Sequence, residues 1–584
     1  MTNRAPRNES SARRPGGENV AGRRHDLDAL RAGAMLLGIV YHAALSFAAG
    51  LGWMVQDRAQ SLGYYVFQFW SHGFRMQLFF LISGFFTAML WRKRGLRALL
   101  WHRFRRIFLP CMLGLITVVP AMKWAVEVAG EFRQKRQAAL LAQQTEAGDV
   151  WTAIKNGDSA GFARWLEQST NVDLRHPRFG VTPLTWAALA GREGFARTLL
   201  EHGADVNARN RDGGGALHAA AFLGRTNVVA LLLEHGADLN ARNRRGETAL
   251  NSARAGWPVT RYIAGLLGLE VDRQRVERGR EALIAQLRAL GAVEKPAAAR
   301  GKKGGWQYPD WLLKLMYQPV FILIWFLWFL VWLVTGFAVY AALADRFGWK
   351  SPPRRLLLSP GNLLWLVPLT LIPQWFMGES NGGFGPDISM GIIPIPHILF
   401  YYALFFGFGA LYFDCDDQEG RLGRGWRILL PLATLVVFPL ALELATGRLG
   451  FRDHLLPAAW RRPVSLVLQA GYAWMMAFGL LGLFRDLLPR ENKTIRYISD
   501  SSYWLYLAHL PLTIVLQAWM QDWPLPAGIK LALICGVLTA VLLFSYEKLV
   551  RYTWLGALLN GPRVRPQTRP ALPPASAPVI RLGE

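Results

Sequence analysis

Between Phe321 and Val334 the chain reads Phe-Ile-Leu-Ile-Trp-Phe-Leu-Trp-Phe-Leu-Val-Trp-Leu-Val, a run with no charge, amide or hydroxyl side chain. Hydrocarbon suits such a run, and there every backbone N–H and C=O must be satisfied within the element itself. An α-helix does this inside one segment, and about 20 residues cross a bilayer core. Ten stretches meet the description: 29–49, 66–90, 107–128, 316–340, 360–377, 394–413, 427–446, 464–484, 502–520 and 528–547. The spacing therefore predicts an all-α fold, a polytopic transmembrane helical bundle of about ten spans. Trp and Tyr gather near several span ends, as interfacial belts require.

The formal net charge of +26 invites a nucleic-acid reading. Its placement argues otherwise. Leaving aside 131–309, Lys and Arg fall mainly in 1–31, 92–106, 346–355, 421–427 and 485–496, while the intervening short loops carry few. With the N-terminus in the cytoplasm this is the positive-inside pattern. Topology explains the charge, and no nucleic-acid partner is expected. The first 25 residues are polar and lead into a full-length span, unlike a cleaved signal peptide. Cys111, Cys415 and Cys535 have no paired spacing, so neither a disulfide framework nor a metal site is expected.

From 131 to 309 the apolar runs vanish and a repeat appears. Leu199-Leu-Glu-His-Gly-Ala-Asp-Val-Asn-Ala-Arg-Asn210 returns 33 residues later as Leu232-Leu-Glu-His-Gly-Ala-Asp-Leu-Asn-Ala-Arg-Asn243. Gly180, Gly213 and Gly246 keep the period, as do Leu184, Leu217 and Leu250. With Thr182-Pro-Leu-Thr-Trp-Ala-Ala188, this resembles the ankyrin repeat. Single repeats cannot bury their apolar faces, so an inserted α-solenoid with atypical caps is expected. Four regions follow: 1–130 with three spans, the insert 131–309, 310–550 with seven spans, and a Pro/Arg-rich tail 551–584 expected to be disordered. Ankyrin stacks carry no chemistry and imply a protein partner. His202 and His235, at equivalent positions, read as structural turn histidines. Three spans precede the insert, which places it outside the cytoplasm.

The first span holds the strongest chemical signal. His42 lies deep in an apolar helix, and ionisable groups there are expensive enough that function is their default reading. Arg31 is eleven residues earlier, on the same face and about 16 Å below it along the axis. Asp28 lies one turn before Arg31. Two residues so far apart do not touch each other, but one elongated ligand touches both. The competing reading makes His42 a hydrogen-bonded core residue and Arg31 with Asp28 a topology anchor.

Asp28-Ala-Leu-Arg31 with its ten-residue gap to His42, Phe79-Phe-Leu-Ile-Ser-Gly-Phe85, Arg103-Phe-Arg-Arg106 and Ser502-Tyr-Trp-Leu-Tyr-Leu-Ala-His509 together resemble the membrane acyltransferase-3 superfamily. Arg24-His-Asp-Leu-Asp28, Phe384-Gly-Pro-Asp-Ile-Ser389 and Pro394-Ile-Pro-His-Ile-Leu-Phe-Tyr-Tyr402 bring it nearest to the glucan biosynthesis protein C branch. The resemblance covers all ten spans. The ankyrin insert departs from the family plan. What it implies is transfer of an acyl group, typically succinyl in this branch, from cytoplasmic acyl-CoA to a hydroxyl of an envelope or periplasmic glucan, at a bacterial inner membrane. No bound cofactor is implied, acyl-CoA being a substrate.

On that resemblance His42 is the candidate catalytic base, since a neutral imidazole takes a proton from an alcohol well near pH 7. Arg31, Arg103 and Arg106 are candidates for holding CoA phosphates through forked hydrogen bonds. Asp28, Asp387, His397 and His509 are supporting candidates, each of which reads equally as a packed or solvated polar residue. Glu379 shares an outside loop with Asp387. Ser83 beside Gly84 reads as a close helix approach rather than a nucleophile. Two rival functions remain: a transporter or flippase of acyl donor or glycan using the same stripe, and a membrane-anchored ankyrin scaffold.

Overall fold

A computed structural model describes residues 24–145 and 150–563 apart from 170, 177, 178, 211, 244, 245, 294–308, 350, 379–382 and 562. Glu379, the basic tail before residue 24 and the tail beyond 563 lie outside the described residues. The chain divides into two compact units, Met1–Phe132 with Tyr308–Glu584, and Arg133–Gln307.

In the first unit the described residues form helices joined by loops, with one isolated bridge between Ala48 and Ser61. Its principal helices are α1 His25–Ala44, α2 Leu62–Arg103, α3 Leu109–Thr145, α4 Trp325–Phe347, α5 Leu363–Gln374, α6 Pro396–Asp414, α7 Trp426–Thr446, α8 Ala458–Leu487, α9 Lys493–Met520 and α10 Ala527–Ser545. Among the described residues seven helical runs are long and apolar enough to cross a membrane, against the ten expected. The difference has three physical causes. The second and third expected spans lie in one continuous run, Leu62–Arg136. The fifth is only the twelve residues of α5, interrupted by Pro368 and Pro373. The ninth lies in α9, whose Arg496, Asp500, His509 and Gln517 dilute its apolar character.

The run Leu62–Arg136 does not continue straight. At Gly95 the backbone takes φ 79° and ψ 171°, a region open essentially to glycine alone. Arg103 Nη2 then donates to Thr87 Oγ1 at 2.9 Å. A straight helix would hold those residues about 24 Å apart, so the chain folds back on itself. A π-helical turn at Phe104–Phe108 follows the fold.

α2 and α6 meet backbone to backbone. A Cβ on Gly84 would overlap the Phe406 carbonyl, and one on Gly409 would overlap the Leu81 carbonyl. Small residues at such a crossing replace side-chain packing with direct main-chain contact. Around it Phe80, Phe329, Tyr402, Phe405 and Trp474 form an aromatic core. α1 packs beside α9, the pairing that builds the site.

The second unit stacks helix pairs. Val150–Asn156 with Ser159–Gln168 precedes Pro183–Ala190 with Glu193–Glu201, then Ala216–Phe222 with Thr226–Glu234. Ala249–Ser252 with Trp257–Leu267 and the long Arg273–Ala289 complete it. Leu184, Leu217 and Leu250, one period apart, all enter one core. Thr182 caps its helix by accepting from Thr185 N at 3.2 Å, with Pro183 at the first helical position. His202 and His235 donate from Nδ1 to the carbonyls of Thr198 and Leu231 at 2.8 and 2.9 Å. They serve the repeat turns. Burial holds the His218 imidazole below its usual value and hence neutral. Its Nδ1 accepts from Gly215 N at 3.3 Å and its Nε2 donates to Glu247 O at 3.1 Å, linking neighbouring repeats.

Candidate active site

α1 and α9 run side by side in the same direction, so their polar residues meet at two levels. At the lower level Arg31 Nη2 donates to Ser499 Oγ at 2.6 Å and Ser499 O at 3.2 Å, and pairs with Asp28 at 3.5 Å. At the upper level His42 meets His509, with 3.0 Å between His42 Nδ1 and His509 Nε2. The separations along the two helices, eleven residues on one and ten on the other, keep both pairs in step.

The partners of the two imidazoles decide where their protons sit. His509 Nδ1 lies 2.8 Å from Tyr506 O and 3.0 Å from Leu505 O. Carbonyls only accept, so that nitrogen carries the hydrogen and Nε2 of the neutral ring keeps its lone pair. His42 Nδ1 faces that lone pair and also Gly38 O at 2.9 Å. It too must donate. The lone pair of His42 is therefore on Nε2, for which the described residues offer no hydrogen-bond partner. The same logic holds the end of α1 in place. Gln517 Nε2 donates to His42 O at 2.9 Å and Ala43 O at 3.0 Å, satisfying carbonyls a helix end leaves unpaired. Trp53 Nε1 steadies Gln517 through Oε1 at 2.9 Å.

Both levels open on one cavity of about 1020 Å³. Its charged end is lined by Arg24, Arg31, Lys93, Arg103, Arg106 and Arg563 and by the carboxylates of Asp28, Asp416, Asp417 and Asp500, with Ser499 and Tyr503. Three turns further along α1 the lining becomes Tyr41, His42, His72, Arg75, Tyr506 and His509, among apolar side chains such as Met35, Phe79 and Phe326. The cavity thus joins a cluster of cations to a pair of buried imidazoles.

Of the residues singled out in the sequence, the cavity gathers His42, Arg31, Asp28, Arg103, Arg106 and His509. It does not gather Asp387 or His397. Asp387 accepts from Gly378 N at 3.0 Å and its carbonyl accepts from Tyr402 at 3.4 Å, tying down its own loop. His397 stands half-buried with its ring 6.0 Å from Phe376. Ser83 lines the cavity, and its neighbour Gly84 makes the close approach to α6. The sequence reading missed His72 and Arg75, although both sit in the second apolar run. The rule that singled out His42, an ionisable residue in a span, would have found them. His72 Nε2 donates to Pro386 O at 3.1 Å, and the Arg75 guanidinium carbon stands 3.9 Å from the centre of the Tyr41 ring.

Comparison with known proteins agrees with this division of the chain. Residues 150–256 match the ankyrin repeat family in three copies. Glucans biosynthesis protein C of Escherichia coli (strain SMS-3-5 / SECEC) is 36% identical over 102 residues, 18% of this chain and 25% of that protein. The protein of the same name from Escherichia coli (strain K12) gives the same identity and coverage. The chain thus spans about a quarter of the length of these curated relatives. The crystal structure of the ankyrin repeat domain of Bcl-3, a member of the IkappaB protein family, is 30% identical over 18% of this chain and 46% of that one, with a TM-score of 0.17. Residues 24–127 and 298–546, more than half of the chain, match the acyltransferase domain that defines the acyltransferase-3 family, and to that family the chain belongs.

Proposed function

We propose that the protein transfers an acyl group from cytoplasmic acyl-CoA to a hydroxyl of an envelope or periplasmic glucan at a bacterial inner membrane. The observation that carries this reading is the His42–His509 pair, whose tautomers leave the His42 Nε2 lone pair available in a cavity that ends among arginines. Arg31, Arg103 and Arg106 hold the CoA phosphates, and the pantetheine arm extends along α1 toward His42. The acceptor hydroxyl gives its proton to His42 Nε2 as its oxygen bonds to the thioester carbonyl carbon. The tetrahedral intermediate then collapses, the C–S bond breaks, and the proton passes to the departing CoA sulfur. Meanwhile His42 Nδ1–H stays on His509, which holds the ring and supports its transient charge. The relatives' name, glucans biosynthesis protein C, supports a glucan as acceptor, and resemblance to that branch supports succinyl as the acyl group. A transporter would use the same cations, but it needs no second histidine to fix the tautomer of the first.

Mass spectrometry of envelope glycans from cells with and without the protein reads acyl group and acceptor together. His42→Ala and His42→Gln are each expected to lower transfer by about 10²–10⁴-fold while the protein still inserts. Arg103→Ala is expected instead to raise the acyl-CoA concentration needed for half-maximal rate. Near-normal turnover with alanine at position 42 would refute the base assignment.

A further inference from the structure

Arg75 is a buried cavity residue to which this mechanism gives no task. It lies on α2 one turn after His72 and is 6% exposed. Its guanidinium carbon sits 3.9 Å from the centre of the Tyr41 ring, and that ring lies 4.9 Å, centre to centre, from the His42 ring. Its Nη1 is buried without a hydrogen-bond partner, and among the described residues no carboxylate pairs with it. The neighbouring His72 offers no counter-charge, being neutral or cationic and bonded to Pro386 O. A guanidinium cannot shed its charge by deprotonation, and an uncompensated cation inside a span is costly. A permanent cation facing a ligand cavity is matched by an anion on the ligand.

Which anion reaches it follows from the levels of the site. The donor's phosphates belong to the arginine cluster around Arg31, three helical turns below His42. At the depth of His42 and Tyr41 the donor presents only its thioester and the acyl chain beyond it. We infer that Arg75 binds a carboxylate carried by the acyl group, and so selects half-thioesters of dicarboxylic acids over neutral acyl donors of equal length. The inference rests on the acyl-CoA reading above and adds to it the residue that sets acyl specificity. The fork geometry of a guanidinium suits a carboxylate, and the Tyr41 face holds the cation from the other side.

Binding of free CoA, butyryl-CoA, succinyl-CoA and its methyl ester to the full-length protein tests this without any acceptor. The wild type is expected to bind succinyl-CoA about tenfold more tightly than butyryl-CoA, the worth of one charge-assisted contact. Arg75→Gln is expected to erase that preference while free CoA still binds as before, and Arg75→Lys to keep part of it. If the preference survives in Arg75→Gln, or the wild type has none, Arg75 is a packing or oxyanion-stabilising group and the inference falls. If the glutamine variant loses free CoA as well, the methyl ester decides on wild-type protein. Ester binding as weak as butyryl supports the carboxylate contact, and ester binding equal to the acid overturns it. Failure of free CoA to bind wild type would remove the donor reading itself, and this inference with it.

Discussion

His42 Nδ1 is spoken for, and that constraint shapes the chemistry at the scale of single residues. Its hydrogen is shared between Gly38 O at 2.9 Å and His509 Nε2 at 3.0 Å. Only the far nitrogen is left to take a proton. His509 is then a positioning residue rather than a catalytic one: it fixes the tautomer and supports the imidazolium, as the third member of a hydrolase triad does. Replacing His509 by Phe is expected to cut kcat by about 10²-fold and leave the KM for acyl-CoA near its normal value. His509→Gln, whose side-chain oxygen accepts from the His42 Nδ1 hydrogen, is expected to recover part of that loss. Steady-state kinetics on the two variants checks this. A parallel change in both parameters, or no recovery with Gln, would mean that His509 merely packs.

At the scale of elements, close helix approach and buried polar pairs hold the site's walls. α2, which carries His72 and Arg75 to the cavity, lies directly on α6 at Gly84. The methyl of Gly84→Ala would strike the Phe406 carbonyl, which belongs to a helix backbone and has no rotamer to escape into. That substitution is expected to cost about 1–3 kcal/mol as overpacking. A lowered melting temperature of the purified protein, with loss of transfer at temperatures wild type tolerates, is the expected readout. An unchanged melting temperature would mean that the two helices separate freely. The loop after α1 is tied down differently: Lys530 on α10 pairs with Asp57 at 2.8 Å, both 2% exposed, and donates to Gln521 O at 3.2 Å. Glu443 closes the loop after α7 by accepting from the N–H groups of Leu449, Phe451 and Arg452 at 2.6–2.7 Å.

For the whole molecule the question is the side of the membrane on which the repeats lie. We propose the periplasmic side, where they would recruit a partner or position the acceptor. With α1 taken as one crossing and the run Leu62–Arg136, folded back at Gly95, as two, an odd number precedes the insert. Long domains translocate whatever their charge. Glu201 is exposed at the end of a repeat helix. A cysteine there, in a chain freed of its three native cysteines, is expected to react in intact cells with a thiol reagent that enters the periplasm but does not cross the inner membrane. Reaction only after lysis would put the repeats in the cytoplasm and reverse the count.

Periodicity and hydropathy by themselves determined much of this protein. Spans of apolar residues can be nothing but helices in lipid, a 33-residue period can bury its leucines only by stacking, and an ionisable residue in a span marks function. Those are local rules, and local rules picked out His42 with Arg31 as well as the ankyrin insert. The ten apolar stretches fall in seven long apolar runs and two further helices, because two stretches share the run Leu62–Arg136, α5 is short and interrupted by prolines, and α9 carries polar residues. Only the tertiary structure decided which distant residues share a site. His509 joined His42 across 467 positions, while Asp387, no less suggestive in sequence, ties down its own loop and His397, at the start of α6, stands beside Phe376. The assignment of the two protons needed both helices side by side, since a tautomer is set by what the other nitrogen touches. Arg75 gained its meaning the same way: its charge was written in the sequence, but only the folded chain shows that no carboxylate among the described residues pairs with it.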